Sequence, residues 1–183
     1  MVLRLFTAWI FFVFVCAPPS ASLAQNEGLD REEMVKLSYI YNFAKFVQWP
    51  EGHDDAGQSF VICGLGEGAL HSGLHRLASE AKINNRTILV LLNPSQEKIS
   101  DCHILYIDSS KEKLLETILS QVGNRPILTV GDTPGYGNRG VALNLFGQSG
   151  KIKFEVNMKS IRRSGLTVSS QLLELGKMVE EDK

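Results

Sequence analysis

Neither charge dominates this sequence: 19 basic residues stand against 20 acidic ones, for a formal net charge of −1. That balance removes the electrostatic reason to expect nucleic acid or an acidic membrane surface as a partner. There is no C-x-x-C pair, so the usual redox-motif chemistry of thiols has no basis here. A G-x-S-x-G elbow is missing, and no Ser, His and Asp set suggests a triad, so no catalytic residue is expected. No apolar run approaches the roughly 20 residues that a spanning helix needs. Internal repeats and low-complexity segments are also missing, so the chain past its first residues is read as one unit.

What is present begins with a leader. Arg4 precedes an apolar core, Leu5 to Val15, of about eleven residues, and a small-residue stretch ends Ser22-Leu23-Ala24. This pattern predicts a signal peptide over residues 1–24, cleaved after Ala24, and a mature chain 25–183 that is exported. Of the three cysteines, Cys16 leaves with the leader, and Cys63 and Cys102 remain. In an exported chain the simplest reading is one disulfide between them, with two separately buried thiols as the alternative. Such a bond closes a loop of about 40 residues, which chain entropy values at about 4 kcal/mol.

Hydrophobic spacing then organises the mature chain. Asp30 can cap a helix starting at Arg31, whose Met34, Leu37, Ile40, Tyr41, Ala44 and Val47 share one side. Pro50 ends that element and pushes Trp49 towards extended backbone. A strand over 59–63 is followed by a helix over 69–81, strands over 87–92 and 102–107, a helix over 110–122 and a strand over 126–130. Gly140 to Phe146 and Lys151 to Val156 read as a hairpin, and 158–163 and 170–179 as helices. Alternating strands and helices followed by a hairpin predict an α/β fold. Its sheet is mixed and mainly parallel, flanked by helices, with a C-terminal antiparallel hairpin and helices.

Several stretches invite a chemical reading. Cys63-Gly64-Leu65-Gly66-Glu67-Gly68-Ala69 follows a strand and fits a loose G-x-G-x-x-A loop. A dinucleotide site would also require a carboxylate at the end of the next strand, which instead ends Leu91-Leu92-Asn93, so no cofactor is expected. His71 and His75 sit four apart on a helix and could share a divalent ion, but no third ligand accompanies them, so no metal is expected. Asp101 and His103 flank Cys102, yet in a strand they point away from it. Core packing is the ordinary reading of Tyr39, Tyr41, Phe43, Phe46 and Trp49, with Trp49 the member set to face a partner. Ile161-Arg162-Arg163 reads as a solvated helix face or a contact patch.

Taken together, Tyr41-Asn42-Phe43-Ala44-Lys45-Phe46-Val47-Gln48-Trp49-Pro50, Phe60-Val61-Ile62-Cys63 and Asp101-Cys102-His103-Ile104-Leu105-Tyr106-Ile107 resemble the YfiR family. Arg125 to Asp132, Lys153 to Asn157 and Arg163 to Leu166 continue the resemblance, which covers about residues 30–180. It implies a periplasmic regulatory binding protein, not an enzyme. Such a protein represses an inner-membrane diguanylate cyclase by binding its periplasmic sensor domain, which lowers cyclic di-GMP and biofilm formation. An outer-membrane lipoprotein that sequesters the regulator and a redox input are further implied, and a homodimer is left open. The positions of Cys63 and Cys102 match a family disulfide. The family's contact region maps onto Glu155, Ile161 and Arg163. A second family disulfide has no counterpart, because no cysteine occurs from 103 to 183. The alternative is a periplasmic small-molecule-binding module that signals to another receptor, its ligand near Gly64 to Gly68 and Asp132 at the strands' carboxyl ends.

Overall fold

A computed structural model describes residues 30–53 and 59–182. The leader expected over residues 1–24 lies outside the described residues. Helix α1 spans Arg31–Phe46 and starts with a reciprocal cap. The Asp30 carboxylate accepts from the Glu33 N–H at 2.8 Å, and Glu33 accepts from the Asp30 N–H at 3.0 Å. Two of the helix's orphan donors are thereby satisfied. Its buried side is Leu37, Ile40, Phe43 and Ala44. The expected stripe is thus rotated towards Phe43, leaving Met34 40% exposed. Phe43 decides the rotation, because its ring meets Phe154 edge-on at 5.1 Å and Tyr39 at 5.8 Å.

The chain then runs through β1 (Val47–Gln48), β2 (Phe60–Leu65), α2 (Leu70–Glu80), β3 (Lys82–Ile83), β4 (Arg86–Leu92) and β5 (Ile104–Ile107). It continues with α3 (Leu115–Val122), β6 (Leu128–Gly131), β7 (Leu143–Gln148), β8 (Lys151–Asn157) and α4 (Met158–Arg163). The last elements are β9 (Thr167–Val168), α5 (Ser170–Leu175) and β10 (Lys177–Val179). The main sheet has the order β10-β8-β7-β6-β5-β2-β4-β3, and β1 pairs with β9 in a separate two-stranded ribbon. Pairings among β4, β2, β5, β6 and β7 are parallel, whereas β7–β8 and β3–β4 are antiparallel. The α/β class, the mixed and mainly parallel sheet and the hairpin agree with the sequence-based expectation.

The helix expected over 110–122 is divided, with a 3-10 turn over Ser109–Leu114 before α3. The helix expected over 170–179 stops at Leu175, after which β10 pairs with β8. Gly176 permits that return: a Cβ there would strike Val156 and Phe154.

Strand β2 lies in the middle and is buried on both sides, which is why it reads as a continuous apolar run. Its Phe60 and Ile62 face a large cluster with Ile40, Phe43, Leu74, Ile104 and Val130 beneath α1 and α2. Val61, Cys63 and Leu65 face a second cluster with Ile99, Leu105, Leu115 and Ile118 beneath α3. Cys63 and Cys102 are joined by a disulfide with Cα atoms 5.8 Å apart, inside that second cluster. Both residues are fully buried, so the bond ties β2 to the entry of β5 from within the core. Replacing Cys63 by Ser is expected to reduce unfolding free energy by about 4 kcal/mol, the chain-entropy value for a loop of this length. Urea unfolding of the variant and of the reduced wild type checks this, and both are expected to show the same loss.

Candidate functional site

Two regions concentrate polar groups, and the first is the crevice at the strands' carboxyl ends. Because α2 returns along one face and α3 along the other, the connections that follow β2 and β5 part there, the position at which doubly wound sheets take ligands. The glycine loop after β2 does hold an anion, and the anion is the chain's own Asp108. Its Oδ2 accepts from the Glu67 N–H at 2.8 Å and the Gly68 N–H at 2.6 Å. Its Oδ1 accepts from the Ser110 N–H at 2.8 Å and the Ser110 hydroxyl at 2.6 Å. Gly66, at φ 127°, lies so near the Asp108 carboxylate that any Cβ would overlap it. Asn93 holds the loop from the other side, exchanging hydrogen bonds with the Gly66 N–H at 3.0 Å and the Gly66 carbonyl at 2.9 Å. The pattern that resembles a phosphate loop is therefore a carboxylate loop, closed by a residue 40 positions away.

The neighbouring groups are similarly engaged. Lys36 reaches from α1 to Asp132 at 2.9 Å and to Glu32 at 3.0 Å. Burial alone would lower the Lys36 pKa, but these two carboxylates outweigh it and raise it. Burial, with Asp132 beside it, raises the pKa of Tyr106. His71 packs its ring below Gly64, where a Cβ would meet Nε2 at 2.9 Å, and burial lowers its pKa. Among the described residues, no three His, Cys, Asp or Glu side chains group as a metal site. Asp101 is exposed and pairs with Lys98 at 3.3 Å, while His103 is buried with Nδ1 accepting the Val61 N–H at 3.1 Å. Asp101, Cys102 and His103 thus face three different surroundings.

The second region contains the residues singled out for partner contact. Trp49 is 8% exposed; its indole donates to the His103 carbonyl at 3.3 Å and meets Phe60 edge-on at 5.2 Å. Ile161 is 1% exposed within the large core cluster. Both expectations of a surface position are corrected: these side chains bury their apolar area and hold β1 and α4 in place. Glu155 is also buried, accepting from Asn144 at 3.2 Å and Lys177 at 3.3 Å. Arg163 alone of the four is substantially accessible, and it pairs with Glu181 at 3.0 Å. Glu155 and Arg163 lie on the β8–α4 segment, apart from Trp49. Asp108, Asn144 and Glu181 were missed by the sequence reading. An acid at the end of a strand, Tyr106-Ile107-Asp108, was the available signal for the first; the other two have none.

This arrangement defines a disulfide-linked, doubly wound α/β protein whose carboxyl-end crevice is closed by its own side chains. A model of the YfiR/HmsC-like family, DUF4154, matches residues 33–177, and the chain belongs to that family. The family is one of periplasmic regulators in cyclic di-GMP signalling. No helix among the described residues is long and apolar enough to cross a membrane. Curated protein sequences include no significant match. Among solved structures, the chain is similar to an ABC domain in complex with L-Trp from Streptococcus pneumonia. That match has 12% identity and a TM-score of 0.50, and covers 66% of this chain and 55% of that one. A conserved domain protein from Vibrio cholerae O1 biovar eltor matches at 11% identity and a TM-score of 0.53. There the match covers 82% of this chain and 60% of the other, so in both cases the chain spans less than two thirds of the relative. These likenesses concern the fold.

Asp108 sets a pH dependence. Burial by itself would raise its pKa, but the bonds from Ser110, Gly68 and Glu67 outweigh this and hold the carboxyl below its ordinary value. A depressed folded-state pKa contributes stability above the unfolded value near 4 and loses it as pH falls through the folded value. Wild-type thermal midpoints are therefore expected to drop below about pH 4. The Asp108→Asn variant is expected to lose about 3 kcal/mol at neutral pH and to show a flatter acid limb, measured by calorimetry from pH 7 to 3.

Proposed function

We propose that this protein represses an inner-membrane diguanylate cyclase by binding its periplasmic sensor domain, so that cyclic di-GMP and biofilm formation fall. The family match over residues 33–177 carries this reading. A docked protein can bias a two-state sensor only by binding its inactive state more tightly, so the interface must discriminate between the two shapes. The β8–α4 face supports such a role because its charged groups, Lys159, Arg162 and Arg163, project from a helix seated by the buried Ile161. Glu155 and Arg163 are assigned to partner contact, while Ile161 acts by holding that surface and Trp49 by packing β1 against Phe60. An outer-membrane lipoprotein that competes for the regulator, and a homodimer as the active unit, belong to the same proposal. Redox input has a single covalent element to act on among the described residues, the Cys63–Cys102 bond, and its burial favours a structural role.

Deleting the gene is expected to raise cellular cyclic di-GMP several-fold and to increase biofilm. Re-expression restores the low level, whereas Arg162→Glu fails to restore it and leaves the thermal midpoint within about 2 °C, as exposed charges contribute little to stability. Pull-down from solubilised membranes with the tagged wild type is expected to recover a cyclase. An unchanged cyclic di-GMP level on deletion would overturn the reading.

A further inference from the structure

The end of the described chain lies along the face that carries Glu155 and Arg163. β10 runs parallel to β8, with Lys177 opposite Glu155 and Val179 opposite Asn157. Lys177 pairs with Glu155 Oε1 at 3.3 Å. Val179 lies over Gly137, where a Cβ would meet its Cγ2 at 3.0 Å. Glu181 receives Lys159 Nζ at 2.6 Å and Arg163 Nη1 at 3.0 Å. Ser160 completes this niche, accepting from Arg163 Nη2 at 2.7 Å and lying 3.5 Å from Glu181 Oε1. Asn138 holds the backbone on both sides of Glu181, donating to the Glu180 carbonyl at 2.8 Å and accepting from the Asp182 N–H at 2.9 Å.

Cation, apolar residue and carboxylate therefore fill three successive sites at alternate positions 177, 179 and 181. The carboxylate niche is well formed: Glu181 is 13% exposed at its side chain. Burial would raise the Glu181 pKa, and the bonds from Lys159 and Arg163 outweigh it and lower it. The segment that fills these sites is nevertheless weakly held. β10 has three residues, and the side chains beside it include Leu175 at 77% and Met178 at 51% exposure. Lys177 and Lys159 are exposed ends of their pairs, at 64% and 70%, so each pair contributes little to holding the segment. Short edge strands of this kind open locally at low free-energy cost.

We infer that residues 177–182 are an intramolecular stand-in, occupying a channel between β8 and α4 that accepts an extended segment of another protein. The incoming segment carries a cation, an apolar residue and a carboxylate at alternate positions. It adds as a strand on β8, and its side chains take the places of Lys177, Val179 and Glu181. Each cis contact is replaced by an equivalent one in trans, so the exchange leaves no buried polar group unpaired. The inference concerns the chemistry of the channel and does not depend on the partner being a cyclase.

The test uses the protein purified from the periplasmic fraction and a fluorescent peptide with the sequence of residues 177–182, Lys-Met-Val-Glu-Glu-Asp. Apparent affinity falls in proportion to the fraction of channels that are open, so weakening the cis segment tightens binding by the same factor. Glu181→Gln is expected to bind the peptide roughly three- to tenfold more tightly than wild type. Lys159→Glu combined with Glu181→Gln is expected to abolish that gain, and since Lys159 is largely exposed the fold is retained. A peptide with Gln in place of the second Glu is expected to bind weakly to every form. Amide exchange at Val179 in β10 should be faster in Glu181→Gln, with the β7 and β6 amides unchanged. No binding to Glu181→Gln at millimolar peptide, or equal binding of the Gln peptide, would overturn the inference. A concentration-dependent dimer that exchanges the segment between two copies would also overturn it, assigning the channel to self-association.

Discussion

At the point where β2 and β5 leave the sheet, four donors from two loops converge on the Asp108 carboxylate, which is 5% exposed. Much of the architecture above the sheet follows from that meeting. It bends the chain into α2, and it starts the 3-10 turn that leads to α3. Tyr136 reaches the same corner, its hydroxyl donating to the Asp108 carbonyl at 3.1 Å, so the turn-rich loop after β6 is anchored there as well. A doubly wound sheet ordinarily leaves this crevice for a ligand. Here a fixed internal anion satisfies the backbone donors and leaves no cradle for a phosphate, and the observation that favoured a small-molecule site near Gly64 to Gly68 is accounted for by the fold itself.

With that end closed, the β8–α4 side offers a second concentration of polar groups. Its charges are arranged in cis pairs between α4 and the segment after β10, Lys159 and Arg163 with Glu181, and between β8 and β10, Glu155 with Lys177. This suits a regulator that acts by docking, since partly exposed charges discriminate among partners and steer encounter more than they add raw affinity. The disulfide stands apart from that surface. It is set in the opposite cluster beneath α3, where it supports β2 and β5 and through them the Asp108 corner.

Most of the regular elements were legible in the sequence because their signals are local. The Asp30 cap, the apolar runs of β2 and β5 and the glycines of the β7–β8 turn each act within a few residues. Those that were not legible depend on distant partners. β1, β3 and β9 are two-residue strands, each of which exists through a neighbour such as Val168 opposite Val47. β10 is similar: the apolar spacing of 170–179 suits a helix, and the β8 edge converts its last residues to a strand. Two contact residues were misread for one reason. Trp49 and Ile161 follow or flank polar residues in sequence, and nothing local shows that each side chain turns inward.

The sequence by itself determined the α/β class, the order of the main elements and the motifs of its family, and it made a bond between its two late cysteines the simplest reading. These follow from periodicity, from turn chemistry and from residue identity, all of which are carried along the chain. Tertiary structure alone decided what those residues do. It brought Asp108 to the glycine loop across 40 positions, buried Trp49 and Ile161, and placed Glu181 between Lys159 and Arg163. Which donor meets which acceptor is settled by how the sheet twists and the helices return across it, and spacing along one chain does not encode that.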